Sequence, residues 1–282
     1  MPSWRCWKAE SLLDLGFALI AELLALGVVV GFLAGLLGIG GGMLMVPVLT
    51  LVLSHRGVSA GMAVKMAIAT SMATIFFTSL SSVRSHHLLG AVRWPIVTRM
   101  GPGIVAGGLL GGAGAFALLK GQGLALMFAA FIGYSAIKML RPSATHAGRE
   151  LPGALGQAAV GAGIGFVSSL LGAGGAFLSV PFMTWCGVPP RHAVGTSAAL
   201  GFPIALASTL GYVLSGFDLP PALPGAVGYL YLPALFVVAA ASMSLAPLGA
   251  RTAQRIDVQL LRRLFAVMLL ILAASMLQRA FQ

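Results

Sequence analysis

Charge is what this chain has least of. Asp, Glu, Lys and Arg make up 8% of its 282 residues, against roughly 25% in a soluble domain, and the acids number only 6. With 5 histidines and no HExxH or GxSxG pattern, there is little material for acid–base or nucleophilic catalysis, and no enzyme activity is expected. Two cysteines, Cys6 near the start and Cys186 in an apolar run, give neither a disulfide framework nor metal-ligand spacing. The 17 Lys and Arg raise the net charge to +11, yet they stand singly between apolar runs, without a basic face or interleaved aromatics. Nucleic acid is therefore not an expected partner. No cofactor is expected either: the run Gly38-Ile39-Gly40-Gly41-Gly42-Met43 lacks the sixth-position glycine of a dinucleotide fingerprint, and no GK[ST] follows it.

What the chain has is apolar surface. AVILMFWYC residues reach 59% and the mean hydropathy is +0.99, which predicts a polytopic, all-α membrane protein with room for about ten spans of ~20 residues. Glu10 and Asp14 precede the first apolar stretch and no clear small-residue cleavage site follows, so that stretch reads as a retained span. Apolar segments fall near 15–37, 42–53, 62–83, 95–119 and 122–140, then near 154–171, 176–186, 193–214, 226–249 and 263–281. This divides the chain into a tail (1–14), a first membrane repeat (15–140), a polar linker (141–152, RPSATHAGRELP) and a second membrane repeat (153–282). The second segment of each half is too short to cross alone: at 1.5 Å per residue, a dozen residues reach about 18 Å.

The halves are copies. GFLAGLLGIGGGMLMVPVLT from Gly31 to Thr50 returns as GFVSSLLGAGGAFLSVPFMT from Gly165 to Thr184, identical at eleven of twenty positions with an offset of 134. Loop charge predicts that the copies are inverted, because cytoplasmic loops collect Lys and Arg. The stretch Val83 to Arg93 carries Arg84, Arg93, His86 and His87, while its counterpart Ser215 to Gly225 has Asp218 and no base. The next pair shows the opposite bias, with Lys120 alone against Arg251, Arg255, Arg262 and Arg263. An odd number of crossings per half produces such a reversal. On this count the linker is cytoplasmic and both termini face outward.

Each glycine run breaks a helix, and Pro47 and Pro181 remove a further main-chain bond nearby. Broken backbone within a bilayer is tolerated only against protein or a wet cavity. A helix restarting near Gly41 or Gly42, and its counterpart near Gly175, would turn unpaired N–H groups and a positive dipole end toward that cavity from opposite sides. Such a place seats an anion. Gly40, Gly41, Gly42, Gly174 and Gly175 are thus the candidate backbone contacts. Gly27, Gly31, Gly35, Gly103, Gly107 and Gly111, at four-residue spacing, are assigned to helix packing.

A second echo, offset by 126, pairs a base with two hydroxyls: Lys65, Thr70 and Ser71 in one half, Arg191, Thr196 and Ser197 in the other. The hydroxyls are candidate donors to substrate or to their own helix backbone, and the bases either set charge preference or snorkel to the headgroups. Glu22 is a candidate relay for a coupling proton, and His86 and His87 read as solvated.

The two glycine–proline motifs, each followed by Ala-x-x-Thr-Ser (Ala67 to Ser71, Ala193 to Ser197), resemble the duplicated signature of the sulfite exporter TauE/SafE family, also called the 4-toluene sulfonate uptake permease family. The resemblance covers essentially residues 15–280. It implies a multi-pass carrier of the cell inner membrane for small organic or sulfur-containing anions such as sulfite, sulfoacetate, thiosulfate or related carboxylates. A coupling ion, proton or sodium, would drive it. The alternatives are an anion channel, a membrane enzyme or assembly factor, and a membrane protein whose glycine motifs serve packing alone. The motifs differ in detail, with Ala176 opposite Gly42 and Arg191-His192 opposite Lys65-Met66, so the half-sites are not equivalent.

Overall fold

The computed structural model describes residues 16–37, 41–140, 150–252 and 258–280. Ten helices run through these residues. The first five are α1 (Phe17–Leu37), α2 (Gly42–His55), α3 (Ala60–Leu88), α4 (Trp94–Leu118) and α5 (Gly121–Leu140). The second five are α6 (Ala154–Leu171), α7 (Ala176–Trp185), α8 (Pro190–Gly216), α9 (Leu232–Thr252) and α10 (Val258–Ala280). Six of them, α1, α3, α4, α6, α8 and α9, are long and apolar enough to cross a membrane. Their apolar side chains face outward as well as inward, as Val28, Leu110, Leu155, Leu214 and Phe236 do. An outer surface of that kind suits lipid, which needs no polar coat. The helices α2 and α7 are short, 14 and 10 residues, as the glycine interruptions predict.

Two boundaries differ from expectation. The helix α3 continues through Arg84, His86 and His87 to Leu88 and stops where Gly90 takes a positive φ of 66°, so the anticipated basic loop is mostly helical. The apolar segment expected from 226 opens as a two-stranded hairpin, β1 (Ala226–Val227) and β2 (Leu230–Tyr231), before α9 begins. Gly225 and Gly228, at φ 82° and 55°, make the turns that keep those residues out of the helix.

Glycine seams hold the helices together and carry the symmetry. A Cβ added to Gly31 would overlap the Ser242 backbone, and one added to Gly165 would overlap Ile104. Gly27 meets Val238 where Gly161 meets Met100, and Gly249 meets Phe32 where Gly111 meets Phe166. An offset of 134 relates the first helices of the halves, and an offset of 138 relates their fourth helices. Each of these glycine contacts therefore has a twin: α1 packs parallel to α9, and α6 packs parallel to α4. Each half seats its first helix on the other half's fourth, so the repeats are interlocked rather than juxtaposed. Small residues permit this approach because lipid supplies no hydrophobic drive between helices.

The long helices α3 and α8 cross at the centre. At one end the Arg191 guanidinium donates from Nη2 to the Leu89 carbonyl at 2.8 Å, close to Arg84 and Arg93. The last turn of α9 with Arg251 ends beside the same end of α1, where Gly249 meets Phe32. The hairpin, Asp218 and the start of α3 lie at the opposite end. Bases from both halves collect on one face, as the loop-charge reversal predicts. Arg255 lies outside the described residues.

Candidate functional site

The two interruptions touch. Gly41, at φ 71°, is the residue before α2, and Gly175, at φ 74°, is the residue before α7. These left-handed conformations suit glycine because a Cβ would strain them. A Cβ on Gly42 would overlap the carbonyl oxygen of Gly172, and a Cβ on Gly172 would lie 2.9 Å from Val46 Cγ2 and 3.2 Å from Ile68 Cα. So the start of α2 from the first half rests on the end of α6 from the second. The N–H groups of Gly42, Met43, Ala176 and Phe177 have no partner within their helices, whereas those of Leu44 and Leu178 already bond the Gly41 and Gly175 carbonyls, and both helices begin inside the protein with buried residues. Gly40 lies outside the described residues.

Beside this junction is a narrow hollow with a volume of about 10 Å³, room for little more than one water-sized group in this conformation. The second break contributes Gly174, and α8 contributes Ser197, Ala198 and Gly201. Opposite them α3 presents Thr78, Ser79 and Ser82, and α1 presents Ala34. The hydroxyls are not equally engaged. Thr78 Oγ1 bonds the Thr74 carbonyl and Ser242 Oγ, and Ser79 Oγ donates to the Phe76 carbonyl at 3.0 Å. Ser82 Oγ is buried without a hydrogen-bond partner. Ser197 Oγ accepts from Ser179 Oγ at 2.9 Å, which leaves its own proton uncommitted. The wall thus offers two hydroxyl donors and glycine backbone, and none of its lining side chains is charged. A leftover buried hydroxyl costs on the order of 1–3 kcal/mol, so a guest that accepts hydrogen bonds relieves a standing penalty.

The other candidates from the sequence are placed elsewhere. Thr70 Oγ1 accepts the Tyr231 backbone N–H at 3.0 Å, and Thr196 Oγ1 accepts that of Arg93 at 2.9 Å. These are twin bonds, each tying a central helix to the residue that leads into the other half's fourth helix. Ser71 is buried with its hydroxyl unpartnered. Lys65 Nζ donates to the Ala117 carbonyl at 3.1 Å and stands over the Phe116 and Tyr229 rings; burial pushes the Tyr229 phenol above its usual range. Arg191 caps the end of α3, so neither base lines the hollow. Glu22 and Asp218 are exposed. His87 is solvated as expected and accepts the Trp94 indole N–H, but His86 is buried, with Nε2 3.3 Å from the Gly35 carbonyl oxygen. Among the described residues no three His, Cys, Asp or Glu gather as a metal site.

The symmetry gives the hollow a counterpart, and among the described residues bulky side chains occupy it. Positions equivalent to Ser197, Ala198, Gly201 and Thr78 are Ser71, Met72, Ile75 and Ile204. Met72, Ile75 and Ile204 are fully buried, with Ile75 Cδ1 against Gly42 and Ile204 Cδ1 against Gly175. Ser168, the equivalent of Ala34, is also buried with an unpartnered hydroxyl. Thr78, Ser79, Ser82 and Ser179 escaped the sequence reading. The available signal was the four-residue spacing of Thr74, Thr78 and Ser82 along one face of an otherwise apolar helix.

A sequence model of the family described as Sulfite exporter TauE/SafE matches residues 23–276. The chain belongs to the sulfite exporter TauE/SafE family. A probable membrane transporter protein of Haemophilus influenzae is 33% identical over 265 residues, spanning 92% of this chain and 98% of the relative. A second, from Methanocaldococcus jannaschii, is 26% identical over 275 residues, spanning 94% of this chain and 98% of its own length. No solved structure matches. This TauE/SafE protein is a multi-pass membrane transporter, and the breaks that carried its family resemblance are the elements that meet at its centre.

Proposed function

We propose that this TauE/SafE transporter is a secondary carrier of the cell inner membrane for small organic or sulfur-containing anions, with sulfite, sulfoacetate, thiosulfate and related carboxylates as the substrate class. The observation that carries this reading is the contact of the two interruptions beside a hollow whose buried hydroxyls, Ser82 and Ser197, retain protons to donate. The main chain at Gly41, Gly42, Gly174 and Gly175 then holds the anion with the positive ends of α2 and α7. Ser71, Thr70 and Thr196 belong to the frame of the same site, and Lys65 and Arg191 bias its two approaches toward negative charge. The filled mirror position favours a carrier over a channel: a channel needs a continuous polar path, and Met72, Ile75 and Ile204 interrupt it. Exchange of the two halves' conformations would empty the mirror site and close the present hollow, the alternating access that inverted repeats make available.

Uptake into vesicles reconstituted with the purified protein tests this. Sulfite, thiosulfate and sulfoacetate should enter with saturable kinetics and accumulate against their gradient when a proton or sodium gradient is imposed. Flux that rises linearly with concentration and never exceeds equilibrium would identify a channel, and no flux of any of the three would refute the anion class.

A further inference from the structure

The bond between His86 and Gly35 has a twin. The offsets that superpose the repeats carry His86 onto Tyr212 and Gly35 onto Ser169, and the Tyr212 hydroxyl donates to the Ser169 carbonyl. Each long central helix is therefore fastened by a side chain to the last turns of its own half's first helix. The fasteners differ in chemistry: one is an imidazole, whose second ring nitrogen can take up a proton, and the other a phenol, which has no such site.

His86 lies on α3 between the hollow-lining Ser82 and the basic end of that helix. It stands one turn beyond Ser82 on α3, and its acceptor Gly35 follows Ala34; Ser82 and Ala34 both line the hollow. It is 5% exposed. We propose that His86 carries a proton that binds together with the anion, so that the transporter moves the two as a pair. This rests on the anion reading above and names the coupling ion for it.

The coupling follows from the hydrogen inventory of imidazole. While Nε2 donates to the Gly35 carbonyl, the other ring nitrogen of neutral His86 is an acceptor, which repels an anion. Protonation turns that nitrogen into a second donor and places a unit positive charge next to a hollow that has none of its own. Gly35 lies in the last turn of α1, where carbonyls without helical partners favour a cation. Among the described residues the surroundings offer no competing base or counter-ion. On α3 itself Arg84 and His87 are exposed, and His87 is engaged by Trp94. From α8, Arg191 and His192 are held at the Leu89 and Ala91 carbonyls. Arg93 ahead of α4 and Arg251 at the end of α9 are exposed. The one carboxylate on these helices, Glu22, lies thirteen residues before Gly35, about 20 Å along α1.

Calorimetric titration of the purified full-length protein with sulfoacetate, whose charge is constant between about pH 5.5 and pH 8.5, tests the proposal. Linkage requires the wild-type affinity to fall as pH rises, by about tenfold per pH unit once His86 is mostly deprotonated. His86→Gln, whose amide still reaches the Gly35 carbonyl, should bind weakly with no pH slope. Tyr212→Phe, which releases the twin fastener, should keep the slope. A wild-type affinity independent of pH, or a His86→Gln slope equal to wild type, overturns the proposal and leaves the anion reading standing. Failure of sulfoacetate, thiosulfate and sulfite to bind at any pH overturns both.

Discussion

At the scale of single residues, the site is made by what is left over. Many of the described hydroxyls do what a hydroxyl in an apolar helix ordinarily does and bond the carbonyl three or four residues back, as Thr50, Thr74 and Thr184 do. Ser82 and Ser197 do not, and both face Gly174. Replacing either by Ala should weaken sulfoacetate binding about tenfold to a hundredfold, the worth of one hydrogen bond to a charged group; Ser82→Ala should cost little thermal stability, whereas Ser197→Ala also strips the buried Ser179 hydroxyl of its acceptor and should lower the melting temperature. Calorimetry on each variant measures the first and a melting curve the second. Ser197 was legible in advance because it belongs to the repeated Thr-Ser element. Ser82 was less so: its four-residue spacing from Thr74 and Thr78 marks a polar face, but only packing against the other half gives that face a role. Lys65 and Arg191 drew attention as charges in an apolar chain, but a sequence gives a charge no direction. Both point to carbonyls at helix ends.

At the scale of elements, the breaks were the most legible feature, because a φ of 71° or 74° is open to glycine and strained for other residues, so the fold prints itself into the sequence there. Helix lengths were less legible. Nothing in Arg84, His86 and His87 forbids helix, and the stop depends on Gly90, six residues beyond Arg84. The hairpin ahead of α9 is set by tertiary pairing with Thr70, which no local pattern announces. That pairing and its twin at Thr196 pin each central helix to the entry of a fourth helix. Thr196→Val keeps the shape and removes the acceptor for the Arg93 N–H, leaving a part-buried amide unpaired. It should destabilise the protein by about 1–3 kcal/mol and lower its melting temperature in detergent. An unchanged melting temperature would show that water replaces the bond.

At the scale of the whole molecule, duplication with interlocking explains why two short helices can begin in the interior at all. Each break is covered by the opposite half, Gly42 by Gly172 and Gly172 by Val46 and Ile68, so backbone that lipid would not tolerate is buried in protein. The inversion was legible from loop charge, and bases of both halves do collect at one end. The interlock was not legible, because repeats reveal that two halves exist and say nothing about which helix of one packs on which helix of the other. The same symmetry supplies the most direct test of the central claim that the hollow beside the joined breaks holds the anion. Gly201 has room for a Cβ, the nearest atom to one added there being Ser79 Cβ at 3.5 Å, and its mirror position already carries Ile75. Gly201→Ile should therefore fold and fill the hollow as the mirror site is filled. Calorimetric titration of this variant with sulfoacetate should show binding lost while the melting temperature without ligand stays within a few degrees of wild type. Binding of wild-type strength by a folded Gly201→Ile protein would contradict the account.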